Sequence, residues 1–129
     1  MKNESRGFVH LMKSTKYSLQ GLWTAAKNES AFRQELLLFV VLAPVGVYIA
    51  DTFLVWILLM VPLFTLLITE LLNSALEAVV DRVGTEFHEL SGKAKDMASA
   101  AVFMNILFLL VVWGGYLVYW FGVFGGGGQ

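Results

Sequence analysis

Glu70, Asn73, Ser74, Glu77 and Asp81 punctuate a run that otherwise reads as a hydrophobic helix, Glu70-Leu-Leu-Asn73-Ser-Ala-Leu-Glu77-Ala-Val-Val-Asp81. At about 100° per residue these five polar side chains fall in one narrow sector, while Leu71, Leu72, Leu76, Val79 and Val80 spread around the rest. Carboxylates at the edge of hydrocarbon are costly, roughly 2.5–3.5 kcal/mol each at a helix centre, and are ordinarily functional. The face must therefore meet protein, water, a cation or a substrate. Glu70 and Glu77 lie two turns apart, about 10.5 Å by rise. That is too far to share one ligand directly, yet near enough to serve two ends of one reaction. Glu29, just before the first apolar run, can reach the same depth. Carboxylates beside an amide suit Mg²⁺, which is often held by one or two carboxylates plus substrate phosphates. His88, Lys93, Lys95 and Asp96 in the adjacent polar segment could hold phosphates or a nucleotide. Phosphoryl transfer asks mostly for positioning, metal and charge neutralisation, and this set of residues can supply them at a membrane surface.

The elements that must position these groups follow from composition. Hydrophobic residues make up 57% of the 129, and only 15% are charged, against about 25% in soluble domains. So much apolar surface points to a single-domain, polytopic, all-α membrane protein. The net charge of −1 gives no nucleic-acid footprint, and the absence of cysteine removes disulfides, Cys-based metal sites and thiol nucleophiles. The start, MKNESRGF, lacks an apolar core after its charges and is not expected to be a cleavable signal.

Residues 1–7 are polar and expected to fray. A surface helix is predicted over about 8–28. Phe8, Leu11, Met12, Leu19, Leu22, Trp23 and Ala26 share one face, and Lys13, Lys16, Gln20 and Lys27 another, as in a helix lying in the membrane interface; the plainer alternative is that the apolar face packs on a neighbouring helix. Asn28 or Ser30 is expected to cap the next helix. Spans are predicted at about 31–50, 53–81 and 97–121, with Pro44 and Pro62 tolerated inside them. Asp51-Thr52 makes a tight connection, and Gly84 is the expected stop of the second span. Residues 85–96 read as a polar segment pivoting at Gly92. Trp113, Tyr116, Tyr119 and Trp120 read as interfacial anchors of the last span. Gly125–Gly128 and Gln129 are given no function. With three spans, all nine Lys and Arg fall on the side of the N-terminus. The positive-inside rule then puts the N-terminus and residues 82–96 in the cytoplasm and the C-terminus outside.

Several soluble architectures are excluded. Ser91-Gly92-Lys93-Ala94 lacks the glycine spacing and the following Ser/Thr of a Walker A loop, and no kinase glycine loop, zinc motif or nucleophile elbow is present. Bland readings compete for individual residues. Asp81 could simply pair with Arg82 at the helix end, and Arg33 with Glu35. Asn73 and Ser74 could be interhelical hydrogen-bond glue. Lys95, His10 and His88 could be ordinary interfacial side chains. For Glu70 and Glu77 a purely structural reading is weak.

Glu70-Leu-Leu-Asn73-Ser-Ala-Leu-Glu77-Ala-Val-Val-Asp81-Arg82, followed by Glu86-Phe-His88-Glu-Leu-Ser-Gly92-Lys-Ala-Lys95-Asp96, closely resembles the prokaryotic integral-membrane diacylglycerol kinase family. The upstream Asn28-Glu29-Ser-Ala-Phe32-Arg33-Gln34-Glu35 matches too, and the resemblance covers nearly the whole chain. It implies a surface helix plus three membrane helices, assembled as a homotrimer with active sites between subunits in the bacterial inner membrane. It implies transfer of the γ-phosphoryl group of MgATP to diacylglycerol, giving phosphatidic acid. By the same resemblance Glu70 is the general base, and Glu29 and Glu77 hold the magnesium. His10, Tyr17, Glu86, His88, Lys95 and Asp96 match nucleotide-contacting positions. Ala31, Phe32, Arg33, Gln34, Glu35 and Ser99 match positions near the lipid, and Asn73 supports the Glu70–Glu77 face. His10 departs from the family, where an Arg is frequent, and a His there would be only partly charged near neutral pH. Two rivals remain: an undecaprenol kinase of the same fold, and a small proton- or ion-conducting subunit using Glu70 and Glu77 as a relay.

Overall fold

A computed structural model describes residues 2–125, with side chains from Arg6 to Val123; the glycine tail from 126 lies outside the described residues. The chain is all-helical: α1 (Lys2–Asn28), α2 (Ser30–Ile49), α3 (Phe53–Val83) and α4 (Glu89–Gly125). Three of these, α2, α3 and α4, are long and apolar enough to cross a membrane. The core sits where they meet. Ile49, Leu59, Met60, Leu63, Leu66, Leu109 and Trp113 are buried in one cluster. The longest pairing is α3 against α4, with α2 leaning on α3 and α1 touching α2 and α3. Most other large apolar side chains face outward, as they must when the solvent is lipid.

Polar side chains hold the helices together where the backbone has loose ends. Pro62, fully buried, removes an N–H from the ladder of α3. Close to it, Trp113 Nε1 donates to Leu59 O at 2.9 Å. The hydroxyl of Tyr116 donates to Ile49 O at 2.7 Å, serving a carbonyl in the last turn of α2 that the helix itself leaves open. Asn105 Nδ2 donates to Thr69 Oγ1 (2.7 Å) and Thr65 O (3.3 Å). The Tyr116 bond thus serves a backbone group that a helix end leaves open, as a membrane requires, while the Trp113 and Asn105 bonds tie α4 to α3. Gly46 lets α2 approach: a Cβ there would lie 2.9 Å from Met60 Cε and 3.4 Å from the Trp113 ring.

The structure departs from the sequence expectations at the ends of elements. The stretch expected to fray is helical from Lys2 onward; nothing in Lys2 to Arg6 breaks a helix. Neither Asn28 nor Ser30 caps α2: the N-cap position is Glu29, whose side chain makes no capping bond. The carboxylate is instead left available to the acidic site. The segment 85–96 is mostly helix, since α4 starts at Glu89 and passes through Gly92. His88 Nδ1 accepts from Leu90 N at 3.1 Å, and Glu89 pairs with Lys93 one turn on at 3.2 Å. A cap and an i,i+4 pair outweigh one glycine, worth about 1 kcal/mol in a helix interior. Only residues 84–88 connect α3 to α4. Gly84 does end α3, but in extended backbone (φ 174°) and not the left-handed conformation. Thr52 Oγ1 caps α3 by accepting from Val55 N at 3.2 Å.

Candidate active site

The acidic face of α3 is organised around Glu70, the one buried ionisable side chain among the described residues, 5% exposed. It is buried because α2 crosses it. Glu35 of α2 comes beside Glu70, and the Glu77 and Glu29 carboxylates also act on it. Four carboxylates from three stretches of chain therefore share one field. Asn73 lies among them. Its amide donates to Glu77 Oε1 at 3.3 Å, and its Oδ1 is buried without a partner. Glu35 Oε2 is buried and accepts no hydrogen bond. Buried acceptors without donors are rare in folded proteins and mark places where an unrepresented donor or ion belongs. Both are acceptors that a hydroxyl donor or a cation could satisfy.

Arg33 does not neutralise Glu35. Its guanidinium turns back over the end of α1 and donates to Ala26 O (3.1 Å) and Lys27 O (3.0 Å). Those are last-turn carbonyls, where a cation is favoured. It thereby locks the α1–α2 corner and leaves Glu35 to Glu70. Phe32 is buried at the same corner, 3% exposed, while Ala31 and Gln34 are exposed. Nor does Asp81 pair with Arg82. Its Oδ1 accepts from Lys95 Nζ at 2.6 Å, across from the first turns of α4. Lys95 also feels Glu77, so the start of α4 is brought over the outer end of the acidic face.

Between α1 and α3 runs a largely apolar groove of about 660 Å³, with Ser18, Gly21, Leu22 and Ala25 on one wall and Leu71, Leu72, Ala75 and Ala78 on the other. Glu29 and Ser74 line it as well, and Glu70 lies one turn deeper along α3 than Ser74. Small residues on both walls, Gly21, Ala25, Ala75 and Ala78, leave the space open. The rest of α1 carries its apolar face outward: Phe8, Leu11, Met12, Leu19 and Trp23 are all more than half exposed. Within the chain these side chains pack on no other helix, which agrees with an interfacial helix. The other residues expected at the nucleotide are not bonded into this cluster. No hydrogen bond or ion pair ties His10, Tyr17, Glu86 or Asp96 to the acidic cluster, and His88 is engaged at the N-terminus of α4. His10 lies with Arg6 and Lys13 along a shallow basic trough on α1. Ser99 is exposed on α4.

Among the described residues no three His, Cys, Asp or Glu side chains converge on a point where a metal could sit. The donors present fit a different arrangement. Glu29 and Glu77, with the unpartnered Asn73 Oδ1 beside them, suit a hard cation that keeps most of its ligands from water and phosphate.

The sequence profile of the prokaryotic diacylglycerol kinases matches residues 16–117. This chain belongs to that family. A diacylglycerol kinase of Haemophilus influenzae is 49% identical over 116 residues, covering 90% of this chain and 98% of that protein. One from Helicobacter pylori is 45% identical over 115 residues, covering 89% and 90%. One from Escherichia coli K12 is 42% identical over 113 residues, covering 88% and 93%. The family inferred from the Glu70–Asp96 motifs is thus the family found. In this prokaryotic diacylglycerol kinase the structure adds what the motifs did not disclose. The Asn105–Thr69–Thr65 network ties α4 to α3 beside Glu70, and the α1–α3 groove rests on small residues. One signal for Asn105 was present: an amide in a stretch, Met97–Phe124, that carries no charge at all.

Proposed function

We propose that the chain transfers the γ-phosphoryl group of ATP to the hydroxyl of diacylglycerol at the cytoplasmic face of a bacterial inner membrane. The observation that carries this reading is the buried Glu70, held among Glu29, Glu35, Glu77 and Asn73 beside an apolar groove that opens along α1. A lipid alcohol needs both: a dry channel for acyl chains and a base for its hydroxyl. Glu70 accepts the hydroxyl proton as the oxygen attacks the γ-phosphorus in line, and ADP departs with the electron pair of the broken P–O bond. No covalent enzyme intermediate is required. Glu29 and Glu77 would hold a divalent cation such as Mg²⁺, which would supply neutralisation of phosphate charge. Asn73 orients Glu77, and its free Oδ1 remains to accept from bound water. Glu35, with Ala31, Phe32, Arg33, Gln34 and Ser99 around the α1–α2 corner and α4, receives the glycerol end of the lipid. Lys95 holds the phosphates, and His10, Tyr17, Glu86, His88 and Asp96 complete the nucleotide site.

These last residues do not gather on the acidic cluster within one chain, which supports assembly as a homotrimer with sites shared between subunits. The family and the relatives' names favour diacylglycerol over undecaprenol, and Lys95 of α4 near Glu77 favours a kinase over a proton relay. The test is radiolabelled ATP with purified protein in mixed micelles, offered diacylglycerol and undecaprenol separately. Label in the diacylglycerol arm supports the proposal, label in the undecaprenol arm alone replaces the substrate, and label in neither overturns the kinase reading.

A further inference from the structure

The salt bridge between Asp81 and Lys95 links the end of the acidic helix to the start of α4, with Nζ and Oδ1 2.6 Å apart. It spans the 84–88 connection, and beside the Glu89–Lys93 pair within α4 it is the other ion pair among the described residues. As a prop for the fold it is weak. The two side chains are 42% and 61% exposed, and pairs so exposed contribute little to stability. Its placement is more informative. Asp81 sits one turn beyond Glu77 on the same face of α3, about 6 Å by rise, and Glu77 acts on the same ammonium. Lys95 is therefore drawn from α4 towards the end of the acidic face where phosphates are expected.

We propose that Asp81 is a positioning residue for the nucleotide: its carboxylate holds the Lys95 ammonium in place for the phosphates of MgATP before the nucleotide arrives. The inference rests on the reading of Lys95 as a phosphate ligand. A free lysine loses rotamer entropy when it is fixed. One already held by a carboxylate has lost most of it. The ammonium has three N–H donors. One stays on Asp81 and two remain for phosphate oxygens, so the carboxylate and the nucleotide need not exclude each other. The paired lysine also screens Asp81, which alone would repel a polyanion.

The experiment is a double-mutant cycle read in steady-state kinetics, in mixed micelles, with MgATP and diacylglycerol varied separately. Lys95→Gln should raise the KM for MgATP about tenfold or more, as expected for loss of a hydrogen bond to a charged group. Asp81→Asn and Asp81→Ser should raise it about three- to tenfold, a typical size for coupled neighbours. With these two, kcat and the KM for diacylglycerol should stay within about twofold, since only ordering of the lysine is lost. Asp81→Glu should restore most of the affinity. In the Lys95→Gln background, Asp81→Asn should add nothing further. An unchanged or lower KM for MgATP in Asp81→Asn overturns the proposal, as does a full Asp81→Asn effect in the Lys95→Gln background. Failure of both removing variants to assemble, while Asp81→Glu and Lys95→Gln do, makes Asp81 a structural residue and also overturns it. An unchanged KM in Lys95→Gln instead removes the phosphate role of Lys95, which is a different failure.

Discussion

At the scale of single residues, the proposed chemistry rests on carboxylates that the fold leaves without a cationic partner. Glu70 is buried with Glu35 at its side, and no cation is paired with either among the described residues. Glu70→Gln keeps the shape and removes the base. We expect kcat to fall by about 10²–10⁴, the usual contribution of general base catalysis. MgATP binding, followed by equilibrium titration, should persist. Glu77→Gln should do the reverse, weakening the metal–nucleotide complex and raising the KM for MgATP. Glu35→Gln separates stability from function. Glu35 Oε2 has no donor, and an amide there would replace a like-charged neighbour of Glu70 with a donor. The variant should unfold later in thermal denaturation in detergent, by the roughly 0.5–2 kcal/mol common when a strained functional position is relaxed, and phosphorylate diacylglycerol more slowly.

At the scale of elements, α4 acts as the clamp that sets α3. Asn105, Trp113 and Tyr116 each reach across to a backbone or hydroxyl oxygen. Hydrogen bonds of this kind inside membranes average about 0.6 kcal/mol. Tyr116→Phe should therefore lower stability only slightly, with activity retained, because Ile49 lies at the far end of the bundle from Glu70. The approach of α2 to Met60 and Trp113 at Gly46 is less forgiving. An alanine meets only the mobile Met60 Cε at 2.9 Å and should be accommodated. Gly46→Leu cannot be, and should cost about 1–3 kcal/mol or more by overpacking. Because α2 carries Glu35, it should also slow catalysis. A comparison of detergent melting curves and turnover for the two variants checks both points.

At the scale of the whole molecule, charge and hydropathy prescribe orientation. The Ala50–Thr52 connection carries one acidic side chain, and the α1–α2 and α3–α4 connections lie with all the Lys and Arg. On that basis we propose that the first connection faces outward and the other two face the cytoplasm. The chain has no cysteine, so single cysteines report cleanly. Asp51→Cys should react with a membrane-impermeant maleimide in intact cells, and Lys93→Cys only after the membrane is opened. The opposite pattern would invert the topology and place the acidic face on the wrong side for cytoplasmic ATP.

The amino-acid sequence by itself determined the class, the helices and the face that matters. Period and polarity are local, so Glu70, Asn73 and Glu77 could be placed in one sector from spacing alone, and the family was legible in the two long motifs around them. Element ends were less legible. Capping at His88, the run of α4 through Gly92 and the uncapped Glu29 each turn on which donor meets which acceptor in space. Partner choice was the least legible. Arg82 and Arg33 looked like natural partners for Asp81 and Glu35, yet residues one or two apart along a helix point about 100° or 200° apart. Arg33 went to the carbonyls of α1, and Asp81 to Lys95 from another helix. Only the tertiary structure decided that Glu35 meets Glu70 and that small residues open a groove between α1 and α3. It alone also decided that Asn105 ties α4 to α3 beside the acidic face. Each of these depends on how whole helices pack, which no local pattern encodes.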